Sequence, residues 1–408
     1  MRAVHPSHNL NTFYFEQMRK ASFAYLPKQG LMRLFWSRVL RQVGVSFLVF
    51  FSAIYVYKTA KLLSYDTKFS FLWVVLFYFL MFLSKQVFLS ISENLSRSRG
   101  FKGIIKLSLL PYFLSTAFYV LGSNNLIFLL LAAVFWGIHA SFYWWGYHGY
   151  FAKTEDRAHF GFGTGEQEFL ETMAMILAPI LGAGIISFLG FKFLFITSFV
   201  FMAVSVFILG RGNDKKQKHD VSFRQIVYLL WKHKSVSLAY VGEGVEDVFY
   251  STAWPLFLFL LYGQVLNLGI IVTSSLFISA IFGIVIGSYV DKQGERTVVG
   301  IGTPIFSLSW LIRALGRSFP FFVLADTLRN FGERMVYLPL LELTYKKAAE
   351  GYVSKAIFFR ELALGIGAMV ALIIMAFLIY LDFEISQTFI IPFIFSLLPF
   401  ISIIKKSI

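Results

Sequence analysis

The chain has 408 residues, 57% of them hydrophobic and only 14% charged, which excludes an ordinary soluble globular domain. It contains no cysteine, which excludes disulfides, thiolate metal sites and cysteine nucleophiles. The net charge of +15 would suggest nucleic acid in a soluble protein; in a membrane protein it reflects lysines and arginines gathered on one side, so no nucleic-acid partner is expected.

Residues 1–42 hold no basic, apolar and small-residue cleavage pattern, so no removable signal peptide is expected. Within them, Leu31–Leu40 carries Leu34, Phe35 and Trp36 among arginines and reads as a segment lying on the membrane surface. Apolar runs of about 20 residues follow, each long enough for a hydrocarbon core of roughly 30 Å. Twelve spans are read, near 43–64, 69–92, 104–122, 125–149, 166–189, 191–210, 235–262, 265–289, 297–316, 319–343, 356–381 and 386–404. Only helices satisfy their own backbone hydrogen bonds in lipid at this length, so the fold class is an all-α, multi-pass membrane protein. The hydrophilic stretch 211–234 separates an N-terminal six-helix half, 43–210, from a C-terminal one, 235–404, with a tail at 405–408. Inside the linker, Phe223, Ile226, Val227 and Leu230 at helical spacing predict a short interfacial helix.

Basic residues accumulate on the side of the N-terminus, from Arg33, Arg38 and Arg41 through Arg97, Arg99 and Lys102 to Lys405 and Lys406, whereas the opposite loops offer little beyond Lys68, Lys192 and Arg317. The positive-inside rule then places both termini in the cytoplasm; the cytoplasmic membrane is the expected location, with the chain a monomer embedded in lipid.

Sliding the sequence by 190 positions lays Tyr147–Glu171 on Tyr337–Glu361 without a gap, with Thr154 on Thr344, Gly161 on Gly351 and Glu171 on Glu361. A similar shift lays Ser90, Asn94 and Arg99 on Gly287, Asp291 and Arg296. The stretch Gly287–Arg296, with Gly287, Asp291, Lys292, Gly294 and Arg296, resembles the signature loop of the major facilitator superfamily, Gly-x-x-x-Asp-Arg/Lys-x-Gly-Arg-Arg/Lys; Glu295 stands where that family prefers a base. In the fifth span, Leu177–Gly184 resembles the Gly-Pro-x-x-Gly-Gly patch of exporters in the family, with Ala178 for the first glycine. The resemblance implies two related halves, a central site near the midplane lined by the first, fourth, seventh and tenth helices, alternating access, and a cytoplasmic gate at the signature loop. The gate residues are then Gly287, Asp291, Lys292, Gly294 and Arg296, with Asn94 and Arg99 in the first half. Gly294 is expected to supply an unusual backbone angle for a tight turn.

Charges inside apolar helices are costly and point to function. Glu243, Glu246 and Asp247 share one face of the seventh span, and Asp326, Arg329 and Glu333 one face of the tenth, with Arg334 turned away. Arg329 is expected to pair with Asp247 or Glu243. The 190-residue shift puts His139 and Tyr143 of the fourth span in the places of Arg329 and Glu333, as cavity-lining groups. Tyr55 and Lys58 are further candidates, while Arg360, Glu361, Glu166, Glu168 and Glu171 read as gate or surface charges. No phosphate loop, His-Glu-x-x-His or His/Asp metal cluster is present, so an enzyme is not expected and no cofactor is called for beyond a coupling ion, for which the proton is considered. The reading is a secondary transporter of a small or amphipathic solute; a non-transporting receptor or scaffold and a lipid or lysolipid flippase stand as alternatives.

Overall fold

The computed structural model describes residues 29–155, 160–210, 221–290 and 294–404. They form helices α1 (Gln29–Leu62), α2 (Thr67–Leu107), α3 (Leu109–Leu121), α4 (Leu126–Thr154), α5 (Phe160–Leu189), α6 (Phe191–Leu209), α7 (Phe223–Lys232), α8 (Lys234–Ser251), α9 (Ala253–Tyr262), α10 (Val265–Val290), α11 (Glu295–Leu315), α12 (Phe319–Lys347), α13 (Val353–Tyr380), α14 (Ile385–Thr388), α15 (Ile390–Phe395) and α16 (Pro399–Ile404), with no strand among the described residues. Seven helical stretches among them are long and apolar enough to cross a membrane. Apolar side chains crowd the outer surface: Phe188 and Phe207 are 89% and 84% exposed, as a surface facing lipid requires. With no water beside such helices, hydroxyls turn to their own backbone, as Ser46 does on Gln42 O and Thr327 on Val323 O, both at 2.7 Å.

The breaks have local causes. Asp66 caps α2 by accepting from Phe69 N at 2.7 Å, and Asn125 caps α4 by accepting from Ile127 N at 2.9 Å. Gly100, at φ 74°, lets the chain turn sharply inside α2. The seventh span, expected as one helix, is interrupted at Thr252, because Pro255 has no N–H for the Ser251 carbonyl. That carbonyl accepts instead from Tyr78 Oη of α2 at 3.0 Å. The last span likewise divides into α14, α15 and α16.

The first helix begins at Gln29, not near residue 43. Leu31–Leu40 is therefore its opening turns rather than a surface segment: Leu31, Leu34 and Phe35 are buried, while Arg33 and Trp36 face outward. The expected linker helix is α7, whose Ile226 is buried while Phe223 and Trp231 are exposed.

Helices before residue 211 pack on one another, as α2 on α4 and α1 on α6, and those after residue 222 do the same, as α11 on α12 and α8 on α13. Two seams join the sets: α5 runs against α10, and α2 against α13. The small-residue patch of α5 serves the first seam, where a side chain on Gly269 would meet Pro179 O and Ala183. The second seam holds polar contacts, Gln86 Nε2 donating to Glu361 O at 3.2 Å and Lys68 Nζ meeting Asp382 at 2.8 Å.

Candidate functional site

Between the two sets lies a cavity of about 320 Å³, lined by α1, α2, α4, α5, α8, α10, α12 and α13. Aromatic contacts flank it. On the side of the N-terminus Phe151 packs on Tyr345 at 4.5 Å and on Phe35; on the other side Phe50 meets Tyr250 edge to face at 6.2 Å.

The lining is built around ion pairs. Arg329 of α12 grips Glu246 of α8 in a fork, Nε to Oε1 at 2.8 Å and Nη2 to Oε2 at 2.7 Å, and Trp310 Nε1 of α11 donates to Oε1 at 3.1 Å. The guanidinium lies 3.8 Å over the Tyr250 ring. A fork fits a planar carboxylate bidentately, and a buried pair this well satisfied offsets much of its desolvation cost. The partner of Arg329 is thus Glu246, and not the expected Asp247 or Glu243. Glu246 and Asp247 stand about 100° apart around the helix with Glu243 between them, and the rotation that α8 takes against α13 puts Glu246 toward α12. Glu243 is met instead by Arg360 at 3.4 Å. Asp247 is exposed to the cavity and has no ion-pair partner among the described residues. Glu333 also lines the cavity.

A second centre sits on α13. Glu361 is held by Lys85 of α2 at 2.7 Å and by the neighbouring Arg360 at 2.6 Å, and His148 of α4 stands 3.7 Å from it while hydrogen-bonding Tyr345 Oη at 2.7 Å. On the opposite wall Arg38 of α1 pairs with Glu171 of α5, which Gln167 also supports at 2.9 Å. Arg334 of α12 faces inward and donates to Thr172 Oγ1 at 2.8 Å. These positions correct four expectations. Arg334 is not turned away; Arg360, Glu361 and Glu171 line the cavity instead of serving as surface charges. Glu171 and Glu361, matched by the 190-residue repeat, both line it. The side chains of Glu166 and Glu168 lie outside the described residues.

Three other candidates leave the lining. Asp326 is buried away from the cavity, paired with Arg313 and accepting from Ser275 Oγ, with the Arg313 guanidinium 4.3 Å from the Trp254 and Trp310 rings. His139 is buried against Tyr112, with Nδ1 2.9 Å from Ser108 O. Tyr143 lies behind Arg41, whose guanidinium stacks 3.6 Å over it. The face that α4 turns inward is Trp136, Ala140 and Trp144. Its rotation is fixed where Gly137 packs on the Met81 carbonyl and Ser84, a close approach that no larger residue would allow. The repeat aligns positions in sequence, but not the faces of the helices. Tyr55 is buried, donating to Tyr119 O at 3.1 Å, and Lys58 is exposed near Phe191 and Phe259.

Of the gate residues, Asp291 and Lys292 lie outside the described residues, Gly287 falls within α10, and Arg296 is exposed in the first turn of α11. Gly294 has φ −67°, an angle open to any residue, so it does not supply the unusual angle expected of it. Asn94 and Arg99 are exposed on a continuous helix before the Gly100 turn. The acid in that region is Glu93, buried and bound by Arg97 at 2.7 and 3.0 Å.

The sequence passed over Arg38, Arg41 and Lys85. Lys85 carried a signal like that of Arg329, a charge inside an apolar span. Arg38 and Arg41 were hidden by a helix start placed too late.

No protein-family model and no curated protein matches the sequence. Solved structures do match it over nearly its whole length. The POT family transporter PepTSo superposes with a TM-score of 0.72 at 11% identity, over 94% of this chain and 98% of its own. FucP, a major facilitator superfamily transporter in the outward conformation, gives 0.65 at 13% identity over 93% and 98%. The human organic anion transporter MFSD10 (TETRAN) gives 0.58 at 15% identity over 90% and 98%. These likenesses show the major facilitator fold.

Proposed function

We propose that the chain is a secondary transporter that carries a small polar solute through the central cavity by alternating access. One observation carries the reading: a cavity of about 320 Å³ rich in charged groups lies between the two helix sets, which meet mainly along two seams. Paired charges at membrane depth are costly to bury and mark solute or ion pathways. In this reading the Gly100 turn divides α2 and α3 into two crossings, α8 with α9 and α14 to α16 each make one, and the total is twelve. The halves are α1 to α6 and α8 to α16, joined by the stretch that includes α7, with both termini cytoplasmic as the loop charges favour. The chain works as a monomer in the cytoplasmic membrane, without a cofactor.

The FucP of E. coli is a fucose:proton symporter, and a proton is the coupling ion proposed here. Asp247 is the carboxylate that a proton or a cationic group can reach, since Glu246 and Glu361 are already engaged. The many charged residues of the lining favour a polar solute over the acyl chains of a lipid. Flux in proteoliposomes against a broad metabolite panel, with and without an imposed pH gradient, tests the reading: saturable, gradient-dependent movement of one class is expected. Asp247→Asn is expected to abolish the gradient-driven component in a protein that remains folded. Unchanged gradient-driven transport in that variant would remove Asp247 from the coupling role.

A further inference from the structure

The charges of the cavity are not evenly spread. On the wall formed by α1, α2, α4 and α5, three cations, Arg38, Arg41 and Lys85, face one carboxylate, Glu171. On the wall formed by α8, α12 and α13 the balance is reversed, with five carboxylates to three arginines. One wall is therefore basic by two charges and the other acidic by two, although the lining as a whole is neutral. Internal pairing absorbs most of these groups: Glu171 takes Arg38, Glu246 takes Arg329, and Glu361 takes Lys85 and Arg360.

Arg360 also meets Glu243, and Arg334 donates to Thr172 Oγ1; Arg41 and Asp247 stand apart from these contacts, on opposite walls. Arg41 is 2% exposed and lines the cavity, yet its Nε and Nη1 have no hydrogen-bond partner and no described carboxylate lies within ion-pair distance. Its support is the Tyr143 ring beneath and Trp144 at 5.0 Å, and a cation–π contact does not replace a carboxylate for a guanidinium taken out of water. Across the cavity Asp247 is open to the interior and unpaired among the described residues. A guanidinium fork is shaped for a carboxylate or similar planar anion, and a free carboxylate is an acceptor for an ammonium.

We infer that the cavity receives a dipolar solute, with its anionic group held at Arg41 and its cationic group at Asp247. This deepens the transporter reading and rests on it for the word solute. A solute with one charge would satisfy one wall and leave the other group unpaired, while a neutral solute would leave both.

Thermal unfolding of the purified full-length protein in mild detergent, followed by its tryptophan fluorescence, tests the inference. The probes are a series of ω-amino acids from glycine to 6-aminohexanoate, set against hexanoate, hexylammonium and hexanamide. At least one dipolar probe is expected to raise the melting temperature with an apparent affinity about tenfold or more above either singly charged analogue, the value of one charge-assisted hydrogen bond. Arg41→Gln is expected to reduce the dipolar probe to the level of the alkylammonium, and Asp247→Asn to reduce it to the level of the carboxylate. Asp247→Asn alters only a cavity-facing group, so it decides the matter even where Arg41→Gln fails to fold. Equal binding of a singly charged or neutral analogue overturns the inference, as does the absence of any shift across the series in a protein that melts cooperatively. Flux separates the two readings. A dipolar probe that binds but does not cross proteoliposome membranes overturns transport alone. Movement of a neutral or singly charged solute, without dipolar binding, overturns this inference and leaves transport intact.

Discussion

Glu246 and Asp247 are adjacent acids on one helix, and the structure assigns them opposite stability roles. Glu246→Gln keeps the shape of the side chain but removes the charge that Arg329 grips at 2.7 and 2.8 Å, and it disturbs the acceptor of Trp310. At an effective dielectric of about 20, two unit charges about 4 Å apart interact by about 4 kcal/mol. Breaking a buried pair by removing one partner costs about 3–5 kcal/mol, because the other charge stays buried. With an unfolding entropy of about 2.1 cal/mol/K per residue, 3 kcal/mol spread over this chain corresponds to a fall of about 4 °C in melting temperature. Asp247→Asn breaks no ion pair and is expected to change stability by about 0.5 kcal/mol or less. The assay is thermal unfolding in detergent of both variants, of Arg329→Gln, and of the double variant Glu246→Gln/Arg329→Gln. The double variant should be less destabilised than the sum of the singles by about 1–3 kcal/mol. Equal shifts for Glu246→Gln and Asp247→Asn, or strict additivity in the double variant, would refute the assignment of Glu246 as the structural anchor.

Two further outcomes follow from packing and from the signature loop. Gly244→Ala would place a Cβ onto the Leu364 carbonyl oxygen where α8 and α13 cross, so a loss of about 1–3 kcal/mol is expected in the same unfolding assay, and a neutral result would show the crossing to be looser than described. Asp291→Ala, motivated by the signature-loop resemblance, is expected to shift the balance between forms open to either side. The chain has no cysteine of its own, so single introduced cysteines, labelled from each side, report that balance directly, and unchanged labelling would remove the gate role.

The positions of the helices were legible because hydropathy at this density leaves few alternatives. The charged faces of the seventh and tenth spans were legible for a related reason: Glu243, Glu246 and Asp247, and Asp326, Arg329 and Glu333, are clusters of charge within long apolar spans. What the sequence could not convey was rotation about the helix axis. A turn of 100° separates Glu246 from its neighbours and exchanges His139 for Ala140, and it is set by contacts such as Gly137 on Met81, which join residues far apart in the chain. Arg38 and Arg41 were lost for a different reason. Basic residues just before an apolar run usually mark an interface, and no window on hydropathy reveals that α1 starts about four turns earlier and carries them inside.

The Ser251 carbonyl bears on how the two helix sets can separate. Pro255 leaves it unclaimed by its own helix, and Tyr78 from the other set takes it. A bond between two buried groups with no other partner and no access to water would strand both when broken. Here the two groups released are a lone carbonyl and a phenol, both lining the cavity, and a single entering water could satisfy both. In the alternating-access cycle proposed above, the fastening is therefore reversible: it aligns the halves when they are together, and water would take its place when they part, at little net change in hydrogen bonding.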